Sequence, residues 1–311
     1  MLAEVLEHLA IKPGGRYVDA TLGEGGHAEH ILAACAPDGE VLGIDRDQEA
    51  LRSAKKHLAG VGARLHTVHA PFGDFFELIA DRGWTDGVDG MLIDLGLSSL
   101  QLRRAGRGFS FAADGPLDMR MDAGLDRNAA DLVNELEETE LANVIFQFGE
   151  ERASRRIARE IVQTRSKRPF ATTSELREAV IRSGVRGRPG RDPATRTFQA
   201  LRIAVNDELG QVTKVMNEGW RALRPGGRMV ILSYHSLEDR VVKSNFRRWA
   251  ADCLCPPRQP ICNCGWSAKV KLIARKKLKP TDDEVAANPR ARSAGLRVVE
   301  RLDSGDGGGV A

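Results

Sequence analysis

The sequence predicts an α/β protein: a parallel-sheet domain, discontinuous in sequence, interrupted by a smaller all-helical insertion. Three observations predict it. Strand and helix patterns alternate from Arg16 to Leu95, the arrangement that gives a parallel sheet covered on both faces. The alternation breaks over residues 105–205, which read as a Gly- and Arg-rich loop followed by helices. It resumes after residue 206.

Met1 to Leu9 has the spacing of an amphipathic helix and lacks the basic start of a secretory signal. Tyr17–Ala20 is a short strand that ends in a Gly-rich turn. A helix follows from about Gly26 to Ala36, then a strand over Glu40–Asp45 and a helix over Gln48–Leu58. Arg64–His69 is a third strand, Asp74–Asp81 a helix, and Val88–Asp94 a fourth strand. Inside the insertion the expected helices are Ala129–Leu136, Glu140–Phe148, Arg152–Ser166 and Ser174–Arg182, the last with Ser174 as N-cap. After it come one helix from about Phe198 to Leu223, the turn Arg224–Gly227 and the strand Arg228–Ser233. Lys271–Lys276 and Leu296–Arg301 read as an antiparallel edge pair, and residues 304–311 as a flexible tail. The economical arrangement is a Rossmann-like domain of residues 1–104 and 206–303, with 105–205 inserted.

The 42% hydrophobic and 29% charged composition is that of a water-soluble globular chain. No apolar run reaches the roughly 18 residues of a membrane span, so the expected location is the cytoplasm. Net charge is only +3, but residues 151–206 carry fourteen Lys/Arg against five Asp/Glu, hence +9, leaving −6 elsewhere. Such a segment suits a polyanionic partner, and charge alone fits a solvated helical face equally well. Of five cysteines, Cys35 sits alone in an expected helix. Cys253, Cys255, Cys262 and Cys264 form two C-x-C pairs, with Pro256, Pro257 and Pro260 between them. Four thiolates suit tetrahedral zinc, but these pairs are tighter than the usual two-residue spacer. The spacing alone assigns no metal.

The first strand runs into Asp19-Ala-Thr-Leu-Gly-Glu-Gly-Gly-His27. Glycines there let the backbone turn tightly against a ligand at a helix N-terminus. Asp45 ends the second strand, where an acid accepts hydrogen bonds from both ribose hydroxyls of an adenosine. The loop is G-x-G-G, not the G-x-G-x-x-G that cradles a dinucleotide pyrophosphate. Together with Asp19, this favours the sulfonium donor S-adenosylmethionine over NAD.

A longer pattern is more specific. Asp94-Leu-Gly-Leu-Ser-Ser-Leu-Gln-Leu102, Arg107-Gly-Phe-Ser-Phe111, Asp114-Gly-Pro-Leu-Asp-Met-Arg-Met121, Gly149-Glu-Glu-Arg152, Pro193-Ala-Thr-Arg-Thr-Phe-Gln-Ala-Leu-Arg202, His235-Ser-Leu-Glu-Asp-Arg240 and Asn288-Pro-Arg-Ala-Arg-Ser-Ala294 occur in this order over nearly the whole chain. In these strings the chain resembles the bacterial RsmH (formerly MraW) methyltransferases. The resemblance implies a Rossmann-like methyltransferase domain and N4 methylation of a cytidine in the decoding region of 16S rRNA, within the small ribosomal subunit. It implies S-adenosyl-L-methionine as donor, held by Gly25, Gly26, His27, Asp45, Phe72, Asp94 and Gln101. The chain departs from the family at two places. It begins at Met1-Leu2-Ala3-Glu4, without the family's His-x-Pro-Val-Leu-Leu-like strand, and the expectation is either an overlooked upstream start or a less well covered site. Asp192 stands where the family has His before Pro-Ala-Thr-Arg.

Cytosine N4 is a poor nucleophile because its lone pair is delocalised into the ring. The enzyme must align it with the methyl group and accept its hydrogen bond, on a base taken out of its stack. Asp94 and His235, both at strand ends, are the candidate catalytic residues, although Asp94 at that place equally suits cofactor orientation. An NAD oxidoreductase is disfavoured by the loop. A non-enzymatic assembly factor is disfavoured by Asp45 and Asp94. A DNA amino-methyltransferase is disfavoured by the lack of an Asp/Ser-Pro-Pro-Tyr segment after the fourth strand.

Overall fold

The central strands of this chain carry near-continuous buried runs, Val41–Ile44 and Gly90–Ile93 among them, as a parallel sheet buried on both faces requires. A computed structural model describes residues 1–303 apart from 188, 189, 191, 257, 258 and 260. Arg188, Arg191, Pro257, Pro260 and the expected tail 304–311 therefore lie outside the described residues. The chain forms two compact units: Met1–Gly96 with Gly210–Ala311, and Leu97–Leu209.

The first unit opens with α1 (Leu2–Leu9), β1 (Arg16–Asp19), α2 (Gly26–Ala34) and β2 (Glu40–Asp45). It continues with α3 (Gln48–His57), β3 (Leu65–His69), α4 (Phe75–Asp81) and β4 (Val88–Asp94). The second unit holds α5 (Ser99–Arg103), α6 (Ala129–Glu135), α7 (Glu138–Gly149), α8 (Ser154–Arg165), α9 (Thr173–Arg182) and α10 (Thr195–Asn206). The chain then runs through α11 (Glu208–Glu218), β5 (Leu223–Ser233), α12 (Ser236–Trp249), β6 (Val270–Leu272), α13 (Asp282–Ala287) and β7 (Gly295–Arg301).

The sheet order is β3-β2-β1-β4-β5-β7-β6. Strands β1 to β5 pair in parallel, while β7 runs antiparallel between β5 and β6. Side chains alternate between two cores, as the period of two demands. Val18, Ile44, Met91, Ile231 and Val299 face one core with Phe75 of α4, Val215 of α11 and Phe246 of α12. Tyr17, Val41, Leu92, Val230 and Val298 face the other with Val5 of α1, Ile31 of α2 and Leu51 of α3. From β1 the chain winds outward through β2 and β3; from β4 it winds the other way. The β1/β4 boundary is thus the topological switch point, and ligands of open α/β sheets bind outside the strand ends there.

Three local expectations are corrected. The single helix expected over 198–223 is two, because Asp207 takes a left-handed conformation (φ 47°) between α10 and α11. Asp tolerates that region better than most side chains. Thr172, not Ser174, caps α9: its hydroxyl accepts from Glu175 N–H, and the Glu175 side chain returns to the Thr172 N–H. Strand β5 starts at Leu223, and the register with β4 jumps from Val88–Leu223 to Gly90–Arg228, so the turn residues bulge out of the ladder.

In the second unit, α7 packs on α8 and α10, and α8 on α9, around Leu141, Ile145, Ile157, Ile161, Leu176 and Leu201. Much of its arginine surplus is engaged internally. Arg202 forks onto both carboxylate oxygens of Glu208 at 2.7 and 2.8 Å. Arg177 pairs with Asp192 at 2.7 Å, Arg182 with Glu160 at 2.9 Å, and Arg165 donates to the Val133 carbonyl at 2.7 Å. Arg152, Arg155, Lys167 and Arg186 are exposed. Among the described residues, no helix is long and apolar enough to cross a membrane.

Candidate functional site

At the carboxyl end of β1 the backbone enters a loop pinned to its neighbours by hydrogen bonds. Ala20 N–H donates to Leu92 O and Leu22 N–H to Ile44 O, both at 2.9 Å. Asp94 N–H donates to Thr21 Oγ1 at 2.7 Å. Gly25 then caps α2 at φ 87°, a conformation that strains any side chain, and a Cβ there would meet Leu58 Cδ1 at 2.8 Å. A Cβ on Gly26 would meet nothing within 4 Å. This leaves open space beside the first turn of α2.

Three carboxylates gather at this switch point. Asp19 is 1% exposed, and burial, with the fields of Asp94 and Asp45, pushes its carboxyl up to about 7. Its Oδ1 accepts from Thr21 N–H at 3.2 Å, while Oδ2 is buried without a partner among the described residues. Asp45 accepts from Gly23 N–H at 2.7 Å through Oδ2 and from Asp47 N–H at 2.8 Å through Oδ1. Burial raises its pKa against these bonds. Each oxygen keeps a further lone pair for a ligand hydroxyl. Asp47, not Asp45, is the helix cap here, accepting from Glu49 N–H at 3.0 Å.

Asp94 ends β4 with its side chain about a quarter exposed (26%). Tyr234 Oη donates to its Oδ1 at 2.8 Å, and His27 Nδ1 stands 3.8 Å from Oδ2. Burial raises the Asp94 pKa, opposed by His27 and the Tyr234 hydrogen bond. Burial lowers that of His27, which Asp94 opposes, and raises that of Tyr234. Tyr234 was not among the sequence candidates. The pairing of Asp94 with Leu232 across β4 and β5 brings it there. It also lines the backbone of Gly96, where a Cβ would lie 3.3 Å from its ring.

The remaining candidates have these places. Phe72 follows Asp45 through the Ala70 N–H to Asp45 O bond at 3.1 Å and packs partly buried against the sheet core. His235 is the N-cap of α12. Its Nδ1 accepts from Glu238 N–H at 3.4 Å, and Nε2 lies 3.1 Å from Glu238 Oε1 without hydrogen-bond alignment. Glu238 Oε2 in turn accepts from the N–H groups of Tyr234 and His235. Gln101 belongs to the second unit, where it closes a capping box with Ser98 on α5.

Asp19, buried and without an ion-pair partner among the described residues, beside the part-buried Asp45 and Asp94, suits a cationic ligand with hydroxyls and disfavours a pyrophosphate. Asp19 Oδ2, Asp45 and the glycine-walled space fit S-adenosylmethionine, which carries sulfonium and ammonium charges and a ribose.

A sequence profile of the MraW methylase family matches residues 1–302. The chain is 48% identical to the ribosomal RNA small subunit methyltransferase H of Symbiobacterium thermophilum, over 98% of this chain and 96% of that protein. It is 50% identical to the protein of the same name from Geobacter sulfurreducens, over 97% of each. Among solved structures, an rRNA methylase from Streptococcus thermophilus aligns with a TM-score of 0.41 at 10% identity, over 97% of this chain and 92% of that one.

Proposed function

The chain belongs to the MraW methylase family, and from that premise we propose that it transfers a methyl group to N4 of a cytidine in the decoding region of 16S rRNA, within the small ribosomal subunit. The enzyme is an S-adenosylmethionine-dependent methyltransferase of small-subunit rRNA, like the relatives that carry that name. The observation that carries the chemistry is the convergence of Asp19, Asp45 and Asp94 at the carboxyl ends of β1, β2 and β4.

S-adenosylmethionine, when bound, supplies an electrophilic methyl group on a sulfonium. Asp45 accepts the ribose hydroxyls, Asp19 balances positive charge, and Gly25 and Gly26 let the donor approach the backbone. Phe72 covers the adenine. Asp94 then accepts a hydrogen bond from the cytosine amine. Tyr234 occupies one of its oxygens and fixes the carboxylate plane, which leaves the other for the amine. Because burial raises the Asp94 pKa, the carboxylate takes the amine proton more readily as positive charge develops on nitrogen. His235, engaged in capping α12, is assigned to holding the Tyr234 segment rather than to proton transfer. The second unit, with its exposed arginines, grips the RNA backbone. Calorimetry tests the donor: micromolar or tighter binding of S-adenosylmethionine with none of NAD supports this reading, and the reverse order overturns it.

A further inference from the structure

Between α12 and β6 the chain carries Cys253, Cys255, Cys262 and Cys264, which the methyl-transfer site does not use. Their sulfurs converge. Cys253 Sγ lies 3.4 Å from Cys262 Sγ and 3.7 Å from Cys264 Sγ. Cys262 Sγ lies 3.6 Å from Cys264 Sγ and 3.9 Å from Cys255 Sγ. All four sulfurs fall within 4.8 Å of one another. Tetrahedral zinc, with Zn–S bonds of about 2.3 Å, requires its sulfurs about 3.8 Å apart.

Two disulfides would draw the sulfurs together in pairs. Here Cys262 stands at nearly equal distance from the other three. Backbone donors point at sulfur as well: Leu254 N–H to Cys264 Sγ at 3.4 Å and Cys255 N–H to Cys253 Sγ at 3.3 Å.

The connection needs a cross-link. No described residue between Ala250 and Lys269 is helical or in a strand, and a connection of that length without secondary structure is uncommon inside a compact domain. Its base is tied: Lys269 N–H donates to Trp249 O at 2.7 Å, and Trp266 Nε1–H to Ala251 O at 3.0 Å. Among the described residues of its tip, Leu254 is 38% and Ile261 78% exposed.

We propose that these four cysteines bind one structural Zn²⁺ that closes the tip of this connection. Each thiol gives its proton to solvent as its sulfur takes the metal. An all-thiolate set selects a soft, tetrahedral ion. With four protein ligands the site is closed, so its role is structural rather than catalytic.

The test is metal analysis of the full chain purified under reducing conditions. The expected result is one equivalent of zinc per chain, kept through gel filtration. Co²⁺ in its place should give the absorption of a tetrahedral thiolate complex. Cys253→Ser with Cys262→Ser loses the equivalent, and Cys35→Ala, outside the cluster, keeps it. Stripping the wild-type chain with a chelator should expose residues 250–269 to protease, and zinc should restore protection; this arm does not depend on the variants folding. A wild-type chain without zinc that binds no Co²⁺ overturns the proposal, as does one holding iron with sulfide, or one whose four cysteines form disulfides and take up no metal once reduced.

Discussion

Replacing Asp19 with Asn should flatten the dependence of stability on pH between about 4 and 7. Burial and two neighbouring carboxylates raise the folded-state pKa from 3.8 to about 7. That is roughly three pKa units, and at about 1.36 kcal/mol each the ionised carboxylate costs the folded chain up to about 4 kcal/mol. The sign follows from proton counting. Below pH 4 both states hold the proton and Asp19 is neutral in its effect. As pH rises through the unfolded pKa, the unfolded chain ionises first and binds fewer protons, so stability falls until about pH 7 and then levels. Asn cannot ionise, so the variant escapes this loss. Urea unfolding of the cofactor-free chain at pH 4, 5.5 and 8 measures it. The variant should gain on wild type by up to about 4 kcal/mol between pH 4 and 8. Saturating S-adenosylmethionine should narrow the gap at pH 8, because a cationic ligand compensates the wild-type carboxylate. Parallel wild-type and variant curves would refute the placement of a buried, uncompensated acid at this strand end.

Asp45→Ala removes the acceptor for the ribose and for the Gly23 and Asp47 N–H groups; calorimetry should show affinity for S-adenosylmethionine reduced by about 1–3 kcal/mol, and unchanged affinity would take Asp45 out of the site. Asp94→Ala should abolish turnover with normal circular dichroism, and Tyr234→Phe should lower kcat by roughly 1.5–3 kcal/mol of barrier with little change in KM, since it frees the Asp94 carboxylate. A change in KM alone would make Tyr234 a binding residue. Gly25→Ala forces a side chain into φ 87° against Leu58 and should cost at least about 1–3 kcal/mol of stability in thermal unfolding; a neutral change would contradict the loop geometry. Arg152, Arg155 and Arg186 changed together to Ala should weaken RNA binding and reduce the salt slope by about 0.7–0.9 for each phosphate no longer neutralised, with donor affinity constant. If only a Lys271/Arg275/Lys276 variant loses affinity, the RNA grip lies on β6 and the basic segment that follows it instead.

The central strands were legible because they are mainly apolar runs bounded by turn residues, and Glu40–Asp45 and Val88–Asp94 have the bounds that the pattern gave. The break at Asp207 was not. No Gly or Pro marks it, and a left-handed Asp inside an apolar-periodic stretch leaves no local sign. Tyr234 was missed for a different reason. Its place beside Asp94 depends on β5 lying next to β4, a pairing between residues about 140 apart in sequence. Nothing at Tyr234 itself separates it from His235. For His235 a sign existed: Glu238, three residues on, makes the reciprocal capping pattern that normally starts with Ser or Thr. The count of +9 over 151–206 also treated every arginine as available. Several are bound to carboxylates and carbonyls of their own unit, and only the folded chain distinguishes those from the exposed ones.

Transfer of labelled methyl from S-adenosylmethionine to purified small ribosomal subunits that lack the modification, followed by nucleoside analysis of the 16S rRNA, tests the central claim most directly. The account predicts label in N4-methylcytidine, located in the decoding region, and none with Asp94→Ala. Label on ring carbon, on another nucleoside or on ribosomal protein, or no transfer by a chain that binds the donor, would contradict it.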